Sequence, residues 1–162
     1  MKQIICDEIA CKIVPDKIIA GWKETKYIVV SSSFFMVPAI YGFYNNLYFL
    51  PGVLLFTTLF SVNYWRRATY SWRRIADKTF AKISFVIFCM YGFANVSRTV
   101  DVISIYSGLI CLIYCYYMSL KSYNNNDINS SNTLIWWKYH LMFHIFVAYN
   151  QYVIINSIVT KY

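Results

Sequence analysis

The sequence predicts an all-α, polytopic membrane protein, a transmembrane helix bundle of about five spans, and three observations carry that prediction. Of 162 residues, 59% are hydrophobic and 20% aromatic against 14% charged, a balance that a soluble domain of this size does not normally show. Apolar stretches follow one another at about the 17–25 residues needed to cross roughly 30 Å of hydrocarbon. The basic residues gather in two places, before the first stretch and between the second and third.

In chain order, residues 1–26 mix acids and bases without an apolar core, so no secretory signal peptide is read there. Ile4, Ile5, Ile9 and Ile13 recur at helical spacing until Pro15, the pattern of a short amphipathic helix lying on a membrane surface. The chain therefore divides into an N-terminal segment, 1–26, and a bundle, 27–162. The first span, 27–44, carries Ser31, Ser32, Ser33 and Pro38. A membrane helix tolerates these where hydroxyls or neighbouring helices satisfy the freed backbone groups, and serines also permit close packing. Asn45, Asn46 and Pro51 mark a tight turn into the second span, 47–65, so the first two helices form an antiparallel hairpin. Spans three to five cover 75–94, 100–118 and 134–159, the last preceded by an asparagine-rich loop.

The net charge of +8 would raise nucleic acid as a partner for a soluble protein. Here its location gives another explanation, and no nucleic-acid partner is expected. Arg66, Arg67, Arg73, Arg74 and Lys78 crowd one junction, and Lys2, Lys12, Lys17, Lys23 and Lys26 precede span one. By the positive-inside rule both groups belong in the cytoplasm, which puts the N-terminus inside and the C-terminus on the opposite side. The same loop attracts anionic lipid headgroups. Cys6, Cys11, Cys89, Cys111 and Cys115 follow no zinc-ribbon or redox spacing, and no phosphate-binding glycine loop or nucleophile elbow is present.

His140 and His144, the only two histidines, are one turn apart on one helix face in the last span. Inside a membrane such a pair needs a metal, an acid or water as partner. Depth decides which polar groups can supply one. Ser61 lies one turn before Trp65 near the inner end of span two, Asp77 lies at the inner mouth of span three, and the histidines follow the interfacial Trp136 and Trp137. All four can converge in the cytoplasmic half of one bundle. A carboxylate and two imidazoles suit zinc, with a coordinated water as nucleophile and a serine hydroxyl to orient it or stabilise an oxyanion. Asp77 also reads as a helix-start acid or as a partner of Arg73, Arg74 or Lys78. Two histidines on one helix face cannot sandwich a haem. A proton path through Asp77, Asp101, His140, His144, Asn150 and Gln151 would have to reach both sides. For Asp101 a surface ion pair with Arg98 is the simpler reading, and for Asn150 an interhelical hydrogen bond. A purely structural polar cluster in a protein that binds lipid or a partner is the competing functional class.

Ser61-Val-Asn-Tyr-Trp65, the basic linker, Trp72-Arg-Arg-Ile-Ala-Asp77 and His140-x-x-x-His144 resemble the CREST superfamily of membrane proteins, which includes the alkaline ceramidases and the progestin and adipoQ receptors. The resemblance implies a seven-helix ancestor. It also implies a metal-dependent hydrolase of lipid amide bonds, with zinc on His140 and His144, Asp77 as third ligand or base, and Ser61 beside the reacting water. Two departures stand against it. Trp65 occupies the place of the family's first histidine and offers no lone pair to a metal, and about five spans replace seven.

Overall fold

The computed structural model describes residues 18–124 and 136–161. The expected amphipathic helix in 1–17 and most of the asparagine-rich loop lie outside the described residues. Gly21 is extended and its carbonyl accepts the N–H groups of Glu24 and Thr25, both at 3.1 Å, which starts α1 (Trp22–Ser32). A 3₁₀ turn, Ser33–Phe35, leads into α2 (Met36–Tyr44). The tightened turn lies where Pro38 withholds an N–H from the preceding carbonyls.

The predicted hairpin turn is present. Asn46 takes φ 60°, its N–H donates to Phe43 O at 3.0 Å, and Leu47 N–H donates to Gly42 O at 2.9 Å, the paired bonds of a Schellman C-cap with asparagine in the left-handed position. α3 (Phe49–Trp65) follows, with Pro51 in its first turn, where a missing N–H breaks no helical bond. The hairpin closes where a Cβ built on Gly42 would lie 2.5 Å from the Pro51 ring and 3.5 Å from Ile155. The proline ring cannot rotate away. Gly42→Ala is therefore expected to cost about 1–3 kcal/mol by overpacking, measured as a lower unfolding midpoint in detergent.

α4 (Trp72–Asn95), α5 (Thr99–Asn124) and α6 (Trp136–Val159) complete the described helices. α6 is the central staff, touching α1, α2, α4 and α5, and its pairing with α5 is the most extensive. That pair is antiparallel: Asp101 meets Ser157, Gly108 lies under Asn150 and Tyr116 meets Phe143. Ala39, Leu50, Leu54, Phe88, Ile154, Ile155 and Ile158 form an apolar core towards one end. A second core, Ile28, Tyr64, Trp65, Ala68 and Trp136, closes the other. At that second end Ile19 N–H donates to Ala68 O at 2.8 Å, holding the start of α1 against the α3–α4 linker. Both basic groups of the described chain thus lie at one end of the bundle.

Three helices are long and apolar enough to cross a membrane, Trp22–Tyr44, Thr99–Tyr123 and Trp136–Val159, and the chain is an integral membrane protein. Large apolar side chains such as Val37, Ile40, Met90, Phe93, Ile103 and Ile110 are exposed, far beyond what a water-facing surface carries. Of the five expected spans, the first, fourth and fifth are these three. The second forms a shorter apolar helix of 17 residues. The third is 24 residues long but carries Arg73, Arg74, Asp77, Lys78 and Lys82 in its first half.

Candidate functional site

Two adjacent serines begin the site. Ser31 and Ser32 both direct their hydroxyls at Ile28 O, at 2.9 and 2.8 Å, the back-bonding that serine offers to a helix carbonyl. This holds both Oγ atoms on the buried side of α1, where each is fully shielded. From α6, His144 Nδ1 lies 2.9 Å from Ser31 Oγ and 3.4 Å from Ser32 Oγ. From α3, Ser61 Oγ lies 2.9 Å from Ser32 Oγ. From α4, the half-buried Asp77 carboxylate lies near the Ser61 side chain. Three helices therefore contribute to one hydrogen-bonded series, Ser61–Ser32–His144–Ser31, with Asp77 of α4 beside its Ser61 end.

Donor counting assigns the protons. Ser31 and Ser32 both donate to the Ile28 carbonyl, so Ser61 donates to Ser32. His144 must then carry its proton on Nδ1 and donate to Ser31, which leaves the Nε2 lone pair as the acceptor or ligand atom. Every member is satisfied in this arrangement, as a polar network in a low-dielectric interior requires.

His140 joins through its ring. Its centroid is 4.8 Å from that of His144 and 5.0 Å from the Trp65 ring, both edge-on, and Phe35 covers His144 at 5.2 Å. Two of the four residues expected from sequence, Ser61 and His144, are thus linked by hydrogen bonds through Ser32, while Asp77 lies near Ser61 and His140 stacks beside His144. Sequence reasoning gave Ser31 and Ser32 only packing and backbone roles. The signal that would have found them is depth: Ser31 is nine residues into α1 from Trp22 and His144 eight residues into α6 from Trp136, close to one level if both tryptophans mark the same interface.

The metal expected from the resemblance meets a poorer donor set than it needs. The Trp65 ring stands edge-on against His140, and Asp77 lies near Ser61. Among the described residues no group of three His, Cys, Asp or Glu side chains could hold an ion. The two-histidine, one-carboxylate set is not assembled.

At the opposite end, Asp101 accepts from Arg98 Nε at 2.8 Å and from Ser157 Oγ at 2.7 Å. The expected ion pair exists, but Asp101 is buried and ties α5 to α6. Asn150 Oδ1 makes no hydrogen bond among the described residues, so the interhelical bond expected of that atom is absent, and the amide instead packs on Gly108. One turn outward from His144, an open apolar groove of about 290 Å³ runs between α6 and the 3₁₀ turn and α2, lined by Phe34, Val37, Pro38, Ile145, Ala148 and Tyr152 among others. No family model, curated protein or solved structure matches this chain.

Proposed function

We propose that the chain is a divergent, five-span CREST-like membrane protein whose polar cluster binds the polar group of a membrane lipid, without catalysis. The supporting observation is the connected series from Ser61 to Ser31, in which hydrogen bonds hold the site together and Trp65 packs where the resemblance implies a ligand. The cluster has its basic end in the cytoplasm. α3 is about 26 Å long, short of the hydrocarbon by a few ångströms that bilayer thinning and the Arg66 and Arg67 stems accommodate. Lys78 and Lys82 on α4 reach the headgroups by the same means. The groove beside His144 takes an acyl chain, so a lipid lying there places its polar group at the depth of Ser31 and His144.

A zinc-dependent hydrolase of lipid amides is the second reading, favoured by the adjacent imidazoles and by the free Nε2 of His144. His140 and His144 would be the ligands, with Asp77 as third ligand or base and Ser61 beside the reacting group. Zinc would supply an activated water there. Elemental analysis combined with lipid mass spectrometry of protein purified in mild detergent separates the readings. The expected result is well under about 0.1 zinc per chain, with one lipid class enriched over the bulk extract and lost from Ser61→Ala. A retained stoichiometric zinc would transfer the conclusion to the hydrolase, and neither zinc nor enriched lipid would leave a cluster that only packs.

A further inference from the structure

Two buried polar atoms deeper in the bundle have no use in the cluster just described. Ser84 Oγ on α4 and Gln151 Oε1 on α6 make no hydrogen bond among the described residues, although the two residues are only 2% and 4% exposed. Each unmade bond of this kind is destabilising, more so where no lipid or solvent group can substitute.

Helix periodicity places both on the site's own stripe. Ser84 follows Asp77, and Gln151 follows His144, by seven residues, or two turns, so each shares its predecessor's face. The axial register comes from Gly92, which lies against Ile154. Counting back along both helices at about 1.5 Å per residue puts Ser84 level with residue 146, between His144 and Gln151. On α3, Thr57 and Thr58 are buried at the neighbouring level, with their hydroxyls returned to their own helix at 2.8 Å each. One turn further from the basic end, every one of these polar positions is followed by an apolar one: Thr58 by Leu54, Ser84 by Phe88 and Gln151 by Ile155, all in one core cluster. On these faces of α3, α4 and α6 the interior is polar from the level of Asp77 and His144 to mid-depth and then sealed.

We propose that His144, Ser84 and Gln151 line an internal file of water that enters at the basic end beside the half-buried Asp77 of α4, outside the core of Ile28, Tyr64, Trp65, Ala68 and Trp136, and stops beneath the plug of Leu54, Phe88 and Ile155. His144 to Gln151 spans about 10 Å, the length of roughly three or four waters at ~2.8 Å spacing. Each water finds the two or more polar partners that a buried water needs. The file hydrates the Nε2 side of His144 without opening a path across the membrane, because the plug ends it. Whichever lipid or metal the cluster holds, the file remains, and only the side on which it opens is taken from the proposed topology.

Thiol accessibility tests this directly. Thiolates form, and react with silver ion, only where water reaches them, and Ag⁺ is close to water in size. Ser84→Cys changes one atom, and peptide-level mass spectrometry of subsequent alkylation reads the engineered thiol separately from Cys115, which is buried and free. In proteoliposomes with Ag⁺ added at the basic side, Ser84→Cys is expected to be protected at least about tenfold faster than Leu54→Cys in the plug. Equal rates at the two positions overturn the file. If Ser84→Cys does not fold, Thr57→Cys makes the same measurement from α3.

Discussion

Trp65→His is expected to bind about one zinc ion per chain and to keep it through gel filtration, and the natural chain is expected to retain none. Trp65 is nearly buried and its ring meets His140 edge-on at 5.0 Å, so an imidazole on the same backbone position enters the space beside two others already 4.8 Å apart. Three imidazoles and a water complete the tetrahedral set that zinc favours. His144 is prepared for it, since its Nδ1–H is held by Ser31 and the ligating Nε2 is oriented by that bond, as outer-shell partners commonly do. The substitution also removes an indole from the packing of Ile28, Tyr64, Ala68 and Trp136, so the metal-free variant unfolds at lower temperature. Zinc restores it by mass action, about 2.7 kcal/mol at a hundredfold excess over Kd. Trp65→Phe separates the two effects, losing the indole and gaining no metal. Zinc content in Trp65→His no higher than in Trp65→Phe would show that position 65 cannot reach the histidines.

Depth was legible in the sequence and rotation about the helix axes was not. Counting residues from Trp65 and Trp136 placed Ser61 and His144 in the half of the bundle whose mouth holds Asp77, and the two connect there through Ser32. The same counting was available for Ser31 and Ser32, but nothing in a run of three serines says which hydroxyls face inward. Ser33 is exposed while its two predecessors are fully buried, and only the packing of α1 against α6 selects between them. The span count was the converse case. Apolar length marks α5 and α6 plainly, whereas α3 is short and α4 is charged, so their crossing depends on how a bilayer deforms around them. Ser84 and Gln151 were invisible for a third reason, since an isolated serine or glutamine in an apolar segment shows no deficit until its neighbours are in place.

His144→Phe is expected to be the most destabilising single change in the cluster, at about 1–3 kcal/mol. Hydrogen bonds between membrane helices average about 0.6 kcal/mol and reach about 1.7, and this change removes the contacts to Ser31 and Ser32 together. Phenylalanine fills much the same space against Phe35, so the loss reports the bonds rather than a cavity. Ser31, already bonded to Ile28 O, loses only an incoming donor, and its cost is small. Ser32 and Ser61 remain paired at 2.9 Å, yet the series now ends in the serine pair, and the cooperative strengthening that a continuous chain supplies is reduced. A double-mutant cycle with Ser61→Ala, two bonds away, measures that directly. Independent bonds would give additive changes in unfolding free energy within about 0.3–0.5 kcal/mol. The connected series predicts that Ser61→Ala costs measurably less once His144 is gone, because the chain it interrupts has already been cut. Strict additivity in detergent unfolding would mean that His144 and Ser61 occupy one level of the bundle without acting on each other.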